Sequence, residues 1–491
     1  MELTKEVFRN SEFTFFFGRR LSLLENYLPF SNHCLNYSPE TKCAVQSKNG
    51  KTVGVIGICV DSHAEISRDR IIDYVLENAE NADQLVEIAK RFAGKYAIIA
   101  NFGVADEYFV FPDATSCLSV YYYIGGEICF SSLEYLIARS YGLERSKKSL
   151  TVIKKAQNRN NIIMPNDMTR YDQIKCLLPN HYLNTGTGKA VRFYPKAGDG
   201  REIPVSQAAE RTIALARNII SEYSAVGELL CALTGGWDSR LVLALLYDSN
   251  KNVQCYTSMQ HGFTEKSDDI WIPEKIARML NLRYRLVDDL PPARETEEIA
   301  MDFFGELTGV KAAFTQKELF RDLITIPGYV VGSVGKCGVG GTMPRFLGTA
   351  SFFRCKLHNF SGEARRELKK WRKAANRVKT PVTLYDLFTF EIKCGRWAAI
   401  VENAFSFVGK TSLNIFNCRE IIETWICIPR KDRIHNELHK AIFRALNPAL
   451  LELPCNPGSQ KSGFALIPFV MWVGSYLNYY YRKFRSGSRV L

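Results

Sequence analysis

The sequence predicts two folded parts: an α+β amino-terminal domain built on antiparallel sheets, then an α/β domain with a parallel sheet and a helical carboxy-terminal part. Three observations predict it. The 491 residues exceed one typical domain and leave room for two sizeable cores. Hydrophobic residues make up 46% and charged residues 23%, the balance of a folded globular chain, which excludes a disordered or fibrous protein. The texture of the chain also changes near residue 200, from short strand-like runs to strands that alternate with helices.

In the first part, "FTFFFGRRLSL", "KTVGVIGICVD", "KYAIIANF", "EYFVFPD", "VYYYIGGEICFSS" and "HYLNTGTGKAVRFYP" are β-rich runs separated by Gly, Asn and Asp turns. Between them "IIDYVLENAENADQLVEIAKRF" has the spacing of one helix. The Pro, Gly and charge of "YPKAGDGREIPVS" read as a linker, which divides the chain into residues 1–195 and 205–491. "SQAAERTIALARNIISEYSAV" is then a helix with Ser206 as its cap. "ELLCAL", "NVQCYTS" and "RYRLVD" follow as buried strands, with "RLVLALLYDS" and "DIWIPEKIARMLNL" as helices between them. That alternation implies βαβ units and a parallel sheet.

The net charge of +13 gives a surface field that favours anions, without choosing among nucleotide, nucleic acid, acidic substrate and lipid. The 14 cysteines are scattered singly, with no C-x-x-C pair. Glu2, Lys5, Glu6 and Arg9 interrupt the start where a secretory signal would be apolar, so reduced thiols in a cytoplasmic protein are expected. No apolar run reaches the roughly 18 to 20 residues that cross a bilayer. "FALIPFVMWVGSYLNYYYRKFRSGSR" reads as a core or docking helix. Membrane-surface contact through its tyrosines, Arg482, Lys483 and Arg485 stays open as an alternative.

The chemistry concentrates in "CALTGGWDSRLVLALL", residues 231–246. Here a strand enters a helix, the position at which open α/β sheets bind ligands. Gly235 and Gly236 let the backbone come close to a ligand, so that successive N–H groups face anionic oxygens at the positive end of the helix. Thr234 and Ser239 add hydroxyls. Asp238 would repel a bare phosphate, and makes sense with Mg2+ held between its carboxylate and the phosphates. No Lys follows the glycines, so this is not the loop of kinases and GTPases. A nest from Thr234 to Ser239 that grips a triphosphate is the expectation, and amides already bonded elsewhere would count against it.

"LTGGWDSRLVLALL" resembles the S-G-G-x-D-S pyrophosphate loop of the asparagine synthetase superfamily. "RFAGKYAIIANF", "DATSCLSVYYYIGGEICFSSLEYLI" and "LLPNHYLNTGTGKAVRFYP" are similar, in order and spacing, to that family's glutaminase-type domain. The resemblance implies a glutaminase-like first domain and a synthetase domain that cleaves ATP between the α and β phosphates. It places Tyr256, Thr257 and Ser258, at the start of "YTSMQHGFTEKSDD", beside adenine and ribose. The Ser267-Asp268-Asp269 run further on reads as a helix cap. "GSQKSGF" resembles the segment carrying the family's catalytic lysine, which makes Lys461 a candidate to stabilise the acyl-adenylate. "RWAAIVENAF" is similar to a wall of the acceptor site, with Arg396 and Glu402 as candidate substrate contacts.

Two departures matter. The family's glutaminases use an amino-terminal cysteine, whereas this sequence starts Met1-Glu2-Leu3, so glutamine hydrolysis is not expected. In this it is similar to β-lactam synthetases and lasso peptide cyclases, which use a substrate amine. In "YVVGSVGKCGVGG", Ser333, Lys336 and Cys337 stand where the family has acids for Mg2+. An ammonium there repels the ion, which leaves Lys336 on phosphate directly, in a merely structural loop, or in an impaired site.

Two further signals are set aside. His435 and His439 lie four apart on an expected helix, but the order H-N-E-L-H is no zinc motif, and they read as a solvated face. The basic run "EARRELKKWRKAANRVK" reads as an exposed helix, with no nucleic-acid partner expected. The resulting expectation is an ATP- and Mg2+-dependent ligase joining a small-molecule or peptide carboxylate to an amine. Two readings stay open beside it: a catalytically weakened binding or assembly protein, and an RNA-modifying adenylating enzyme.

Overall fold

The computed structural model describes residues 8–9, 11–156, 162–259, 263–288, 302–305, 329–331, 348–407, 411–457 and 477. Two antiparallel sheets of six strands each form the first half. One runs in the order Ile174–Cys176, Tyr121–Tyr123, Phe130–Ser131, Phe15–Gly18, His33–Tyr37 and Asn26–Phe30. The other runs Lys189–Arg192, His181–Asn184, Phe109–Pro112, Phe92–Asn101, Lys51–Asp61 and Cys43–Lys48. Alternation along the strands explains why the sheets stack. Phe15 and Phe17 point into the core shared with Ile58, Ile99 and Val110 of the other sheet, while Phe16 points the opposite way.

Each outer face takes a pair of helices, so the layers run helix, sheet, sheet, helix. Leu136, Ile137 and Val152, from helices Glu134–Tyr141 and Lys147–Lys154, cover Phe16. Ile71, Val75 and Leu85 cover Val53, Ile98 and Phe111. These last three come from two helices, Ile71–Asn78 and Ala82–Ala89, where periodicity suggested one. Asn81 makes the break: it is extended, and its side chain accepts from the Gln84 amide and starts a new helix.

After the linker, helix Val205–Val226 begins one residue before Ser206, with Pro204 at the cap position and no side-chain cap bond. A five-stranded, all-parallel sheet follows, in the order Arg283–Asp288, Gln254–Met259, Leu229–Ala232, Tyr329–Val331 and Ser412–Leu413. The first strand in sequence is therefore central, and the strand order reverses beside it. The carboxy-terminal region is helical. Antiparallel sheets first, a parallel sheet second and helices last is the fold class that the sequence predicts.

The two halves share one continuous core and are stitched by buried polar groups. Asn417 lies just before helix Arg419–Ile426. It donates to the Gly94 carbonyl and to Asp113 at 2.5 and 2.8 Å, and accepts from the Thr115 amide at 3.0 Å. Glu391, fully buried, takes Arg192 on both oxygens, Asn180 at 2.8 Å and the Trp371 indole at 2.7 Å. Burial alone would raise its carboxyl, but Arg192 beside it holds it below the usual range. Glu402 has no such partner: burial pushes it up to about 7, although Lys95, whose Nζ donates to the Glu402 carbonyl at 2.9 Å, draws it back. Asp113 is raised by burial to about 6. The described cysteines form no disulfide, and most are buried. No helix among the described residues is long and apolar enough to cross a membrane.

Removing one member of a buried, hydrogen-bonded ion pair costs far more than removing a surface one. Glu391→Ala should therefore destabilise the protein by about 3 to 5 kcal/mol in urea denaturation, because Arg192 and Trp371 lose their acceptor. Glu402 carries a raised carboxyl, so its contribution is present below the unfolded pKa and is lost as pH rises through about 7. Glu402→Gln should remove this one falling contribution, so that stability of the variant relative to wild type rises by at most about 3 kcal/mol between about pH 5 and pH 8.

Candidate functional site

The central strand Leu229–Ala232 passes into Leu233, and the chain turns through Thr234, Gly235 and Gly236 into helix Trp237–Ser249. This loop lies at the carboxyl edge of the parallel sheet, next to the reversal of strand order, where such sheets open a crevice. Gly236 occupies the cap position and brings no side-chain oxygen to the first helical turn.

The loop amides do not face open space, as a preformed nest would require. The Thr234 amide donates to Ser239 Oγ at 3.1 Å, the Gly235 amide to Asp269 Oδ1 at 2.9 Å, and the Gly236 amide to Thr234 Oγ1 at 3.2 Å. The Ser239 and Thr234 hydroxyls bond each other at 2.9 Å. Three amides thus converge on oxygen atoms, one of them anionic, all supplied by the protein. Neither glycine has a positive φ. Gly235 is needed because a Cβ there would lie 2.8 Å from the Asp268 carbonyl, where helix Asp268–Met279 begins.

Asp269 was legible only as part of a cap. Ser267 does take the cap position, yet its hydroxyl accepts from the Thr264 amide, and Asp269 reaches across to the loop. Thr257 also ties the two βα units together: its hydroxyl donates to the Leu233 carbonyl at 2.6 Å. Tyr256 is buried beside the loop strand, with its carbonyl accepting from the Leu233 amide, and Ser258 is half-buried one step further along.

His439 is the residue that sequence reasoning misplaced. Asn436 adopts a left-handed conformation and separates helices Arg430–Ile434 and Glu437–Leu446, so His435 and His439 do not share a helix. His435 is exposed; His439 is buried, with Nε2 at 3.2 Å from Asp238 Oδ1. Its Nδ1 is buried with no partner, which favours the tautomer that carries the proton on Nε2 and donates to Asp238. Trp237 stacks on Phe443 of the same helix and meets the His439 ring edge-on. His439 thereby holds Asp238, whose side chain remains 24% exposed.

Arg240, the next charged residue, is fully buried. It donates to the carbonyls of Leu450, Leu453 and Pro454 at 2.7 to 2.9 Å, fastening the stretch that leads to residues 458–464. Lys461 and Lys336 lie outside the described residues, as does most of the aromatic and basic tail. Arg396 donates to the Met168 carbonyl and Glu402 sits by Lys95; both are buried between the halves of the fold. Among the described residues no three His, Cys, Asp or Glu side chains come together as a metal cage. The carboxylates beside the loop are Asp238 and Asp269.

Neither a family model nor a curated protein matches the sequence. Among solved structures, similarity is found to the NMN synthetase of Francisella tularensis, at 14% identity over 49% of this chain and 97% of that one, with a TM-score of 0.20. A second is described as the allosteric regulatory enzyme of purine biosynthesis, at 11% identity over 56% of this chain and 65% of that one, with a TM-score of 0.23. Overlaps this poor carry no functional weight.

The loop geometry separates the two glycines. Gly235→Ala forces the Asp268 backbone aside and should cost about 1 to 3 kcal/mol, lowering the melting temperature. Gly236→Ala meets only the side-chain oxygens of Asn456 and Thr234, at 3.2 and 3.3 Å, and should change the melting temperature distinctly less.

Proposed function

We propose that the protein is an ATP-dependent amide ligase of the AMP-forming type. The observation that carries this reading is the place of the Thr-Gly-Gly-Trp-Asp-Ser loop, between strand and helix at the reversal point of a parallel sheet; the bonds its three amides make within the protein count against a preformed nest, and phosphate must displace them. Thr234, Gly235, Gly236 and Ser239 hold the phosphates. Tyr256, Thr257 and Ser258 border the nucleoside. Because Gly235 already binds the Asp269 carboxylate, phosphate binding exchanges one anionic oxygen for another. Mg2+, held by Asp238, would offset phosphate charge, and His439 keeps that carboxylate in place.

The substrate carboxylate attacks the α-phosphorus, the bond to the β-phosphate oxygen breaks, and pyrophosphate leaves. An amine then attacks the acyl carbon and expels AMP, losing its proton to water or a nearby base. Two steps replace one difficult condensation, because AMP leaves far more readily than hydroxide. Lys461 and Lys336 are the candidate cations for the charge that develops. The internal bonding of the loop amides also favours a second reading, a nucleotide-binding protein without turnover. Saturable ATP binding with no AMP formed across a wide substrate panel would mark that one.

Titration calorimetry with ATP distinguishes these readings from neither. With Mg2+ present, Asp238→Ala should weaken ATP binding at least tenfold; in EDTA the variant and the wild type should differ little. A wild type with no saturable ATP binding, or a variant unaffected in Mg2+, removes the nucleotide site.

A further inference from the structure

We infer that helix Gly362–Ala375 and the residues just after it form a binding face for the phosphodiester backbone of nucleic acid. Ser361 caps this helix by accepting from the Ala364 amide, and Ala364, Leu368, Trp371 and Ala375 bury its apolar side. Trp371 is anchored by its bond to Glu391. The outward side holds Arg365, Lys369, Lys373 and Arg377, all exposed and spaced four residues apart. Like charges at that spacing repel and destabilise a helix.

The repulsion is not relieved from within. The two acids of the helix are both committed to other cations, Glu363 to Arg366 and Glu367 to Lys370 at 2.7 Å. Among the described residues, the row from Arg365 to Arg377 has no carboxylate partner. From the run alone these charges read as an ordinary solvated face, because composition does not show which cations are paired.

The row also faces a concavity. All four of its members, with Arg372, line a cleft of about 510 Å3 whose opposite wall carries Thr349 and Ser351. It adjoins a second cavity of about 580 Å3, which shares Arg372 and Arg377 and adds Lys379. Arg372 itself straps the helix to the Gly348 carbonyl at 2.6 Å, fixing one side of the cleft.

A row of cations that runs about 12 Å along the helix from Arg365 to Lys373 and continues past its end to Arg377 suits a linear polyanion. A small phosphorylated molecule would engage only part of it. A membrane presents a flat surface that cannot enter a cleft, and the apolar side of this helix is already spent on the core. None of the exposed large hydrophobic side chains among the described residues lines the cleft, so bases have no stacking platform. Binding is therefore electrostatic, independent of sequence and strongly salt-dependent.

The test uses the full chain and a short fluorescein-labelled oligouridylate, with anisotropy read across a range of salt. Wild type should bind, and replacing Arg365, Lys369, Lys373 and Arg377 together by Ala should weaken binding at least tenfold. The slope of log affinity against log salt should become shallower by about 3. The melting temperature should stay level or rise, since repulsion is removed. Arg366→Ala with Lys370→Ala, which removes the paired cations, should leave affinity within about twofold. If the quadruple variant does not fold, Lys369→Glu with Lys373→Glu carries the same test, with the same tenfold loss expected. Equal loss in the paired-cation variant, an unchanged salt slope, or binding of phosphatidylserine vesicles but not of the oligonucleotide would each overturn the inference.

Discussion

The contact of Gly235 with the start of helix Asp268–Met279 is the constraint around which the candidate site is built. A side chain at residue 235 would collide with the Asp268 carbonyl, so the loop and the second βα unit can approach only as they do. That approach lets Asp269 reach the Gly235 amide and Thr257 reach the Leu233 carbonyl. On the loop's other side, the Asn456 amide donates to the Gly235 carbonyl at 3.0 Å. One residue without a Cβ thus holds three segments, distant in sequence, at a single edge of the parallel sheet.

The union of the two halves follows a different principle. Apolar packing brings them together, but direction comes from buried polar groups whose donors and acceptors must match. Asn417 uses both ends of its amide against backbone and Asp113, and Glu391 gathers partners from three separate stretches of chain. Surface pairs such as Lys48 with Glu77 contribute little by comparison, because water screens them. The same economy raises Glu402, which sits in the joint without a guanidinium of its own.

Much of the fold was legible. The strand Lys51–Asp61 matches the run "KTVGVIGICVD" end to end, and the switch from a period of two to one of 3.6 located the parallel sheet. The loop from Thr234 to Ser239 was placed at the right junction by its glycines. What stayed hidden depends on distance in the chain. The acceptor for Gly235 lies 34 residues away, and the partner of Asp238 lies 201 residues away. No local pattern reports either one. His439 could have been suspected from the left-handed preference of Asn436, which ends one helix and starts another, but its burial follows from packing against Trp237. The order of strands, which puts the loop at the reversal point, is likewise a property of assembly and not of any one segment.

Arg240 bears on how this chain can change. Its guanidinium has no exposure and three carbonyl acceptors, all from residues 450 to 454. A deletion or frameshift removing that stretch would strand a permanent positive charge in the interior, so damage at the far end of the protein is transmitted straight to the helix behind the glycine loop. The stretch from 450 to 454 is in this sense a structural keystone, and its loss cannot be tolerated as a simple trimming of the end.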